Sequence, residues 1–182
     1  MLKVSENPPL SWPENQPLEE FDGQWWVAHT KSRNEKALAQ NLISRNVSYF
    51  LPMTWKVHHS RGRKIKSLLP LFTGYLFFCG NEKQRIEVLK TNRVASLINV
   101  KDQLQLVTEL SAIERALQTG ADLQKHRYIK AGQRCRVTAG PLRNIEGVVK
   151  QSRTGARLIL NVDMLGQAAS VEVDSDLIEI IE

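Results

Sequence analysis

From Gln24 to Thr30 (QWWVAHT) the chain alternates as an extended segment does, with Trp25, Val27 and His29 on one face and Trp26, Ala28 and Thr30 on the other. The period then lengthens. Ser32 followed by Glu35 has the spacing of a capping box, and Leu38, Leu42 and Ile43 repeat at helical spacing up to Asn46. Tyr49 to Val57 predicts a second strand, and His58 to Lys66 (HHSRGRKIK) a basic turn or hairpin arm around Gly62. Pro70 to Phe78 (PLFTGYLFF) predicts a third strand, rich in aromatic residues. Its Leu76 and Phe78 share one face, its Tyr75 and Phe77 the other, so both faces are apolar. One can pack on the protein's own helices; the second needs more protein or a partner.

Asn81 with Gln84 opens a second helix, with Ile86 and Leu89 expected to face inward and Asn92 near its end. Val94 to Val100 predicts a further strand. Leu106, Leu110, Ile113 and Leu117 form the apolar stripe of a third helix, closed by Gly120. The order β-α-β-β-α-β plus a helix predicts an α+β, ferredoxin-like sandwich over residues 23–118. Residues 119–131 are polar and basic and read as a linker. After them the period becomes two: Arg134, Arg136 and Thr138 alternate with Cys135, Val137 and Ala139, and Leu158, Leu160 and Val162 with Ile159 and Asn161. With turns at Gly140-Pro141, Thr154-Gly155 and Leu165-Gly166, residues 132–182 predict a small SH3-like barrel of about five short strands. Residues 1–22, with Pro8, Pro9, Pro13 and Pro17 among polar residues, show no hydrophobic period and read as a disordered or loosely docked tail.

Charge sharpens this division. The net charge is +6, but residues 1–22 carry −4, residues 23–118 carry +9 and residues 119–182 carry +1. The positive field belongs to the middle segment, which favours acidic partners. Cys79 and Cys135 lie far apart, and with no secretory signal or long apolar run the chain reads as cytoplasmic, with reduced thiols as small buried hydrophobes. Chemistry is not indicated. His29, His58, His59 and His126 share no metal-ligand spacing with either cysteine, and neither a nucleophile elbow, a P-loop nor a dinucleotide fingerprint occurs, so no enzyme, metal or cofactor is expected.

Two segments resemble one family. Gly132-x-Arg134-Cys135-Arg136-Val137-Thr138-Ala139-Gly140-Pro141-Leu142, followed by Gly147-Val148-Val149, is similar to a KOW motif. Met164 to Gln167 and Val171 to Asp174 resemble the closing strands of that module. Trp25-Trp26-Val27, the helix from Ser32, and Pro70 to Phe77 resemble the amino-terminal domain of NusG; Pro-Leu-Phe-x-x-Tyr-Leu-Phe after Leu51-Pro52-Met53 and an Arg-Gly-Arg arm resembles the specialised RfaH-like branch. The resemblance implies a monomeric transcription elongation or antitermination factor that docks on the clamp helices of RNA polymerase. It places the docking patch on Val27, His29, Phe72, Tyr75 and Phe77. It also implies a partner surface on the barrel at Leu142 and Leu165, for a ribosomal protein or a termination factor. Of the positions that read DNA in RfaH, which fall on Lys31, Ser32, Asn41, Ser44 and Arg45, only Lys31 keeps its type, and Arg93 matches a DNA-facing arginine. The family's gate-loop motif falls on Arg85 to Val88 and is absent.

Non-template DNA or nascent RNA is the expected nucleic-acid partner. The candidates for contacting it are Lys31, Asn41, Arg45 and Arg93, together with the arm residues Arg61, Arg63, Lys64 and Lys66, which suit salt-sensitive phosphate contacts. Two other readings share these features. An RNA-recognition module has the same element order and stacks bases on third-strand aromatics, which Gly74-Tyr75-Leu76-Phe77-Phe78 echoes loosely. A ribosome-associated KOW protein leaves the apolar patch of the first domain unexplained.

Overall fold

The computed structural model describes residues 6–60, 62–127, 132–152 and 155–181. Its first part runs β1 (Ser11–Trp12), β2 (Gln24–Thr30), α1 (Glu35–Ser44), β3 (Ser48–Phe50), β4 (Met53–Ser60), β5 (Arg63–Pro70), β6 (Tyr75–Gly80), α2 (Glu82–Lys90) and β7 (Val94–Asn99). Strands β3, β6, β2 and β7 lie side by side in that order, all antiparallel. This is the strand order of the split βαβ sandwich expected from the pattern. On one face, Trp26, Ala28, Leu76 and Phe78 pack with Leu38, Ala39 and Leu42 of α1 and Val88 of α2. Trp26 and Phe78 stack with ring centroids 5.4 Å apart.

Several local expectations shift, each for a physical reason. Pro52 has no N–H to donate, so the predicted Tyr49–Val57 strand divides at Leu51-Pro52 into β3 and β4. The predicted Pro70–Phe78 strand is also two pieces. Pro70 ends β5, and a turn follows in which Tyr75 N–H donates to Phe72 O at 3.1 Å and Gly74 takes φ +86°. The arm is therefore much longer than predicted: β4 and β5 pair over their full length, from Met53 with Pro70 to Ser60 with Arg63.

Glu35 does not close a capping box on Ser32. Asn34 is the cap residue of α1, and the Glu35 carboxylate accepts the Gly74 N–H at 2.7 Å. The second box is present: Asn81 accepts from Gln84 N–H and Gln84 accepts from Asn81 N–H. That cap, with Gln84 Nε2 donating to Asn46 O, sets the rotation of α2. Val88 then points inward at 0% exposure, and Ile86 and Leu89, about 200° and 100° round the helix from it, are exposed instead.

Residues 6–22 are docked, not disordered. β1 pairs with β3, Leu51 N–H donates to Leu10 O and Tyr49 Oη to Pro9 O. Lys36 Nζ donates to Asn7 Oδ1 and Leu68 O. Leu18 and Phe21 are buried, and Phe21 stacks flat on Trp25 at 5.6 Å. Proline density hid this, because two short pairing segments carry no period.

The chain divides into two compact units, Met1–Gln103 and Leu104–Glu182. Helix α3 (Gln103–Gln118) buries Leu106, Leu110 and Ile113 and thus falls almost wholly in the second unit, not with residues 23–103 as predicted. Its Gln105 donates to Asp163 Oδ2 at 2.7 Å, and Glu109 accepts from Asp163 N–H at 3.1 Å. Beyond it run β8 (Gln124–Arg127), β9 (Gln133–Val137), β10 (Glu146–Ser152), β11 (Gly155–Val162), β12 (Gln167–Val173) and β13 (Ile178–Ile180). They form one antiparallel sheet in the order β13-β9-β10-β11-β12-β8. The strand beyond the expected five is β8, inside the predicted linker, where Gln124 to Arg127 pair with β12. Cys79 and Cys135 are both free and fully buried.

Candidate interaction surfaces

The sheet face opposite the helices carries the expected docking residues. Register places Phe77 between Val27 and Phe50, and His29 between Tyr75 and Ser96. Phe72, in the turn before β6, meets Phe77 edge-on at 6.3 Å. His29 and Tyr75 have ring centroids 5.1 Å apart, and a Cβ on Gly74 would lie 3.6 Å from the His29 ring. Burial divides the five residues. Val27 and Phe77 are 0% exposed and Phe72 1%, whereas Tyr75 is half-buried and His29 exposed. The accessible surface is therefore narrower than the pattern implied. Side chains that fill the strands' interior face cannot also project, so three residues form a floor and His29 and Tyr75 stand at its open end.

Along α1 and before it the structure gathers five polar residues. Arg93 donates from Nε to Asn41 Oδ1 and from Nη1 to Asn34 Oδ1, each at 2.8 Å, and Lys31 Nζ donates to Asn92 Oδ1 at 2.7 Å. The acceptors are neutral amides, so both cations keep their full charge for an outside anion. Arg45 stands apart from this group, donating to Asn41 O at 3.4 Å with its Nε 3.8 Å from a Glu87 oxygen.

The β4–β5 arm carries Arg63, Lys64 and Lys66, all exposed; Arg61 lies outside the described residues. Trp55 and Val57, which the pattern places at the end of the predicted Tyr49–Val57 strand, are 39% and 49% exposed. Lys66 Nζ sits 4.8 Å from the centre of the Trp55 ring. Two apolar residues at alternate strand positions inside a basic arm were the available signal.

In the second unit, Leu142 is buried at 8% exposure and lines a cleft of about 570 Å³ with Val137, Val171 and Leu177. It forms a wall rather than the projecting surface expected of it. Leu165 is half-buried in the turn before β12. Arg157 and Glu172, 3.0 Å apart, are also among the cleft's lining residues.

The element order and the strand order agree with one comparison. A family model described as "Transcription termination factor nusG" matches residues 23–115, just over half of the chain. The chain belongs to the NusG family. A comparison with curated proteins gives no match. The NusG match spans β2 through most of α3, so it contains both sheet faces, the Arg93 group and the whole arm, while the β-strand region from β8 onward lies outside it.

Membership makes this a factor of transcription elongation or termination, in a family that binds RNA polymerase and is not enzymatic. Among the described residues no group of His, Cys, Asp and Glu could hold a metal ion, and no helix is long and apolar enough to cross a membrane.

Proposed function

We propose that this NusG-family chain is a cytoplasmic elongation and antitermination factor that docks on the clamp helices of RNA polymerase through the open end of its sheet face. The observation that carries the reading is the family match over residues 23–115, with exposed His29 and half-buried Tyr75 paired at the end of an apolar floor inside it. Val27 and Phe77 lie two residues along the same strands from that pair, and Phe72 meets Phe77 edge-on. An aromatic pair held in this way is the kind of anchor that carries much of an interface's energy. The specialised RfaH-like branch is supported by the Pro70 to Phe77 pattern and the basic arm. The cations of Lys31 and Arg93, partnered only by amides, suit phosphates of nucleic acid near the docked factor. The C-terminal strands, with Leu142 in the cleft wall and Leu165 in the turn before β12, are proposed as a KOW module that recruits a second protein.

The test is recovery of RNA polymerase on the tagged, monomeric chain, comparing the parent with His29→Ala/Tyr75→Ala. Both side chains lie at the surface, so the double variant is expected to fold and to lose most of the recovery. Undiminished recovery sinks the docking assignment. Co-purification with ribosomes in place of polymerase would favour the ribosome-associated reading.

A further inference from the structure

Within the second unit, helix α3 meets the turn Asp163–Leu165, between β11 and β12, through two acidic side chains and one amide. Glu109 Oε2 accepts the Asp163 N–H at 3.1 Å, and its Oε1 accepts from Gln105 Nε2 at 3.0 Å. The same Gln105 nitrogen donates to Asp163 Oδ2 at 2.7 Å, so one amide clasps both acids. The two carboxyl groups are also hydrogen-bonded to each other. A carboxylate only accepts, so that last bond exists only while one of the pair carries a proton. Charge leads to the same requirement. The charged group that faces Glu109 is Asp163, and the turn has no cation. The other charged residues of α3, Glu114 and Arg115, lie more than one helical turn away. By contrast, Glu82, Glu87, Glu146 and Glu172 each face a Lys or Arg.

We propose that Glu109 and Asp163 form a proton-operated latch on the β11–β12 turn. With one proton between them, the two acids hold the turn on α3. With none, two like charges on one amide drive the turn from the helix. Leu165, half-buried in that turn, is freed as the latch opens. Its bearing on a second protein rests on the partner surface proposed above; the latch itself rests on the geometry alone. Burial, the largest force on the Glu109 carboxyl, pushes it up to about 7; the Asp163 charge adds to this, and the bonds from Gln105 and the Asp163 N–H oppose it. A carboxyl raised in the closed state keeps its proton below that pH and loses it as pH rises through about 7. The latch is therefore closed in mild acid and open in mild alkali. It couples presentation of one turn of the C-terminal unit to proton concentration around neutrality.

The experiment is heteronuclear NMR on the full chain from mildly acid to mildly alkaline pH. It reads the Glu109 carboxyl carbon and the amides of Asp163, Leu165 and Gly166, with exchange rates corrected for the intrinsic effect of pH. The Glu109 carbon should titrate near about 7, and the turn amides should shift with the same midpoint. The Asp163 N–H is donated to Glu109 and the Gly166 N–H to Asp163 O at 3.0 Å. Their exchange protection should fall by about tenfold within one pH unit above that midpoint. Glu109→Gln, neutral at every pH and still able to bond Asp163, should leave the turn protected throughout. Asp163→Asn should lower the Glu109 midpoint. A Glu109 carbon that titrates in the ordinary carboxylate range, turn amides indifferent to its titration, the same pH-dependent loss in Glu109→Gln, or an unmoved midpoint in Asp163→Asn would each overturn the latch. Neither polymerase nor a second protein is present, so none of these outcomes bears on the docking or recruiting assignments.

Discussion

Glu35 is a charged side chain only 5% exposed, held because its carboxylate accepts the Gly74 N–H at 2.7 Å. That amide belongs to the turn that delivers Tyr75 to the sheet. Glu35→Ala leaves it without its partner, and the expected cost is about 1–3 kcal/mol of unfolding free energy in urea titration. Phe78→Ala empties a fully buried site in the helix-side cluster and should cost about 3–5 kcal/mol by the same measurement. His29→Ala, at an exposed position, should stay within about 0.5 kcal/mol of the parent. That contrast is what makes His29 usable as a docking probe and Phe77, at 0% exposure, unusable. The sequence pattern could assign both to one face of a strand, since alternation is local. It could not say how far along that face burial extends, because that depends on residues remote in the chain.

Among elements, α2 shows a helix whose start was legible and whose orientation was not. Asn81→Ala removes one half of a closed capping box and should lower stability by about 1 kcal/mol, read from the urea midpoint. The box joins two residues three apart and is written in the sequence; the rotation that turns Val88 inward comes from Gln84 reaching Asn46, far upstream. The Ser32–Glu35 spacing misled for the same reason in reverse, since a tertiary amide outbid the local one. Helix α3 carries a pH dependence. Burial is the main force pushing the Glu109 carboxyl up to about 7, aided by Asp163 and opposed by the hydrogen bond from Gln105. A carboxyl raised on folding binds its proton more tightly in the native state, so its contribution favours folding at acid pH and is lost as pH rises from about 4.5 through about 7. The group is only half-buried and the effect is correspondingly screened. Thermal midpoints measured across that range should fall with rising pH, and Glu109→Gln should flatten the slope.

At the scale of the whole molecule, the split into a basic N-terminal unit and a nearly neutral C-terminal one was visible in composition, as were the βαββαβ order and the period-two strands. The acidic first segment, read as disordered or loosely docked, is docked; it carries no pattern because it contributes one two-residue strand and three buried side chains, Pro8, Leu18 and Phe21. Its role is to cover an edge: β1 pairs with β3, which otherwise ends the sheet. Removing residues 1–22 should lower the thermal midpoint and promote self-association, measured by calorimetry and by size-exclusion chromatography with light scattering. A truncated chain that stays monomeric at the parent midpoint would show that the edge needs no cover.

The two thiols have a practical consequence. Cys79 and Cys135 have no exposed surface, and burial pushes Cys79 up to about 12, so at neutral pH neither offers a reactive thiolate. A thiol-specific reagent should titrate nothing in the folded chain and both cysteines once it is denatured. The protein is thus a natural blank for labelling chemistry. A Val57→Cys substitution on the β4–β5 arm would give a single addressable position, from which a fluorophore or photocrosslinker would report only what lies within its own reach.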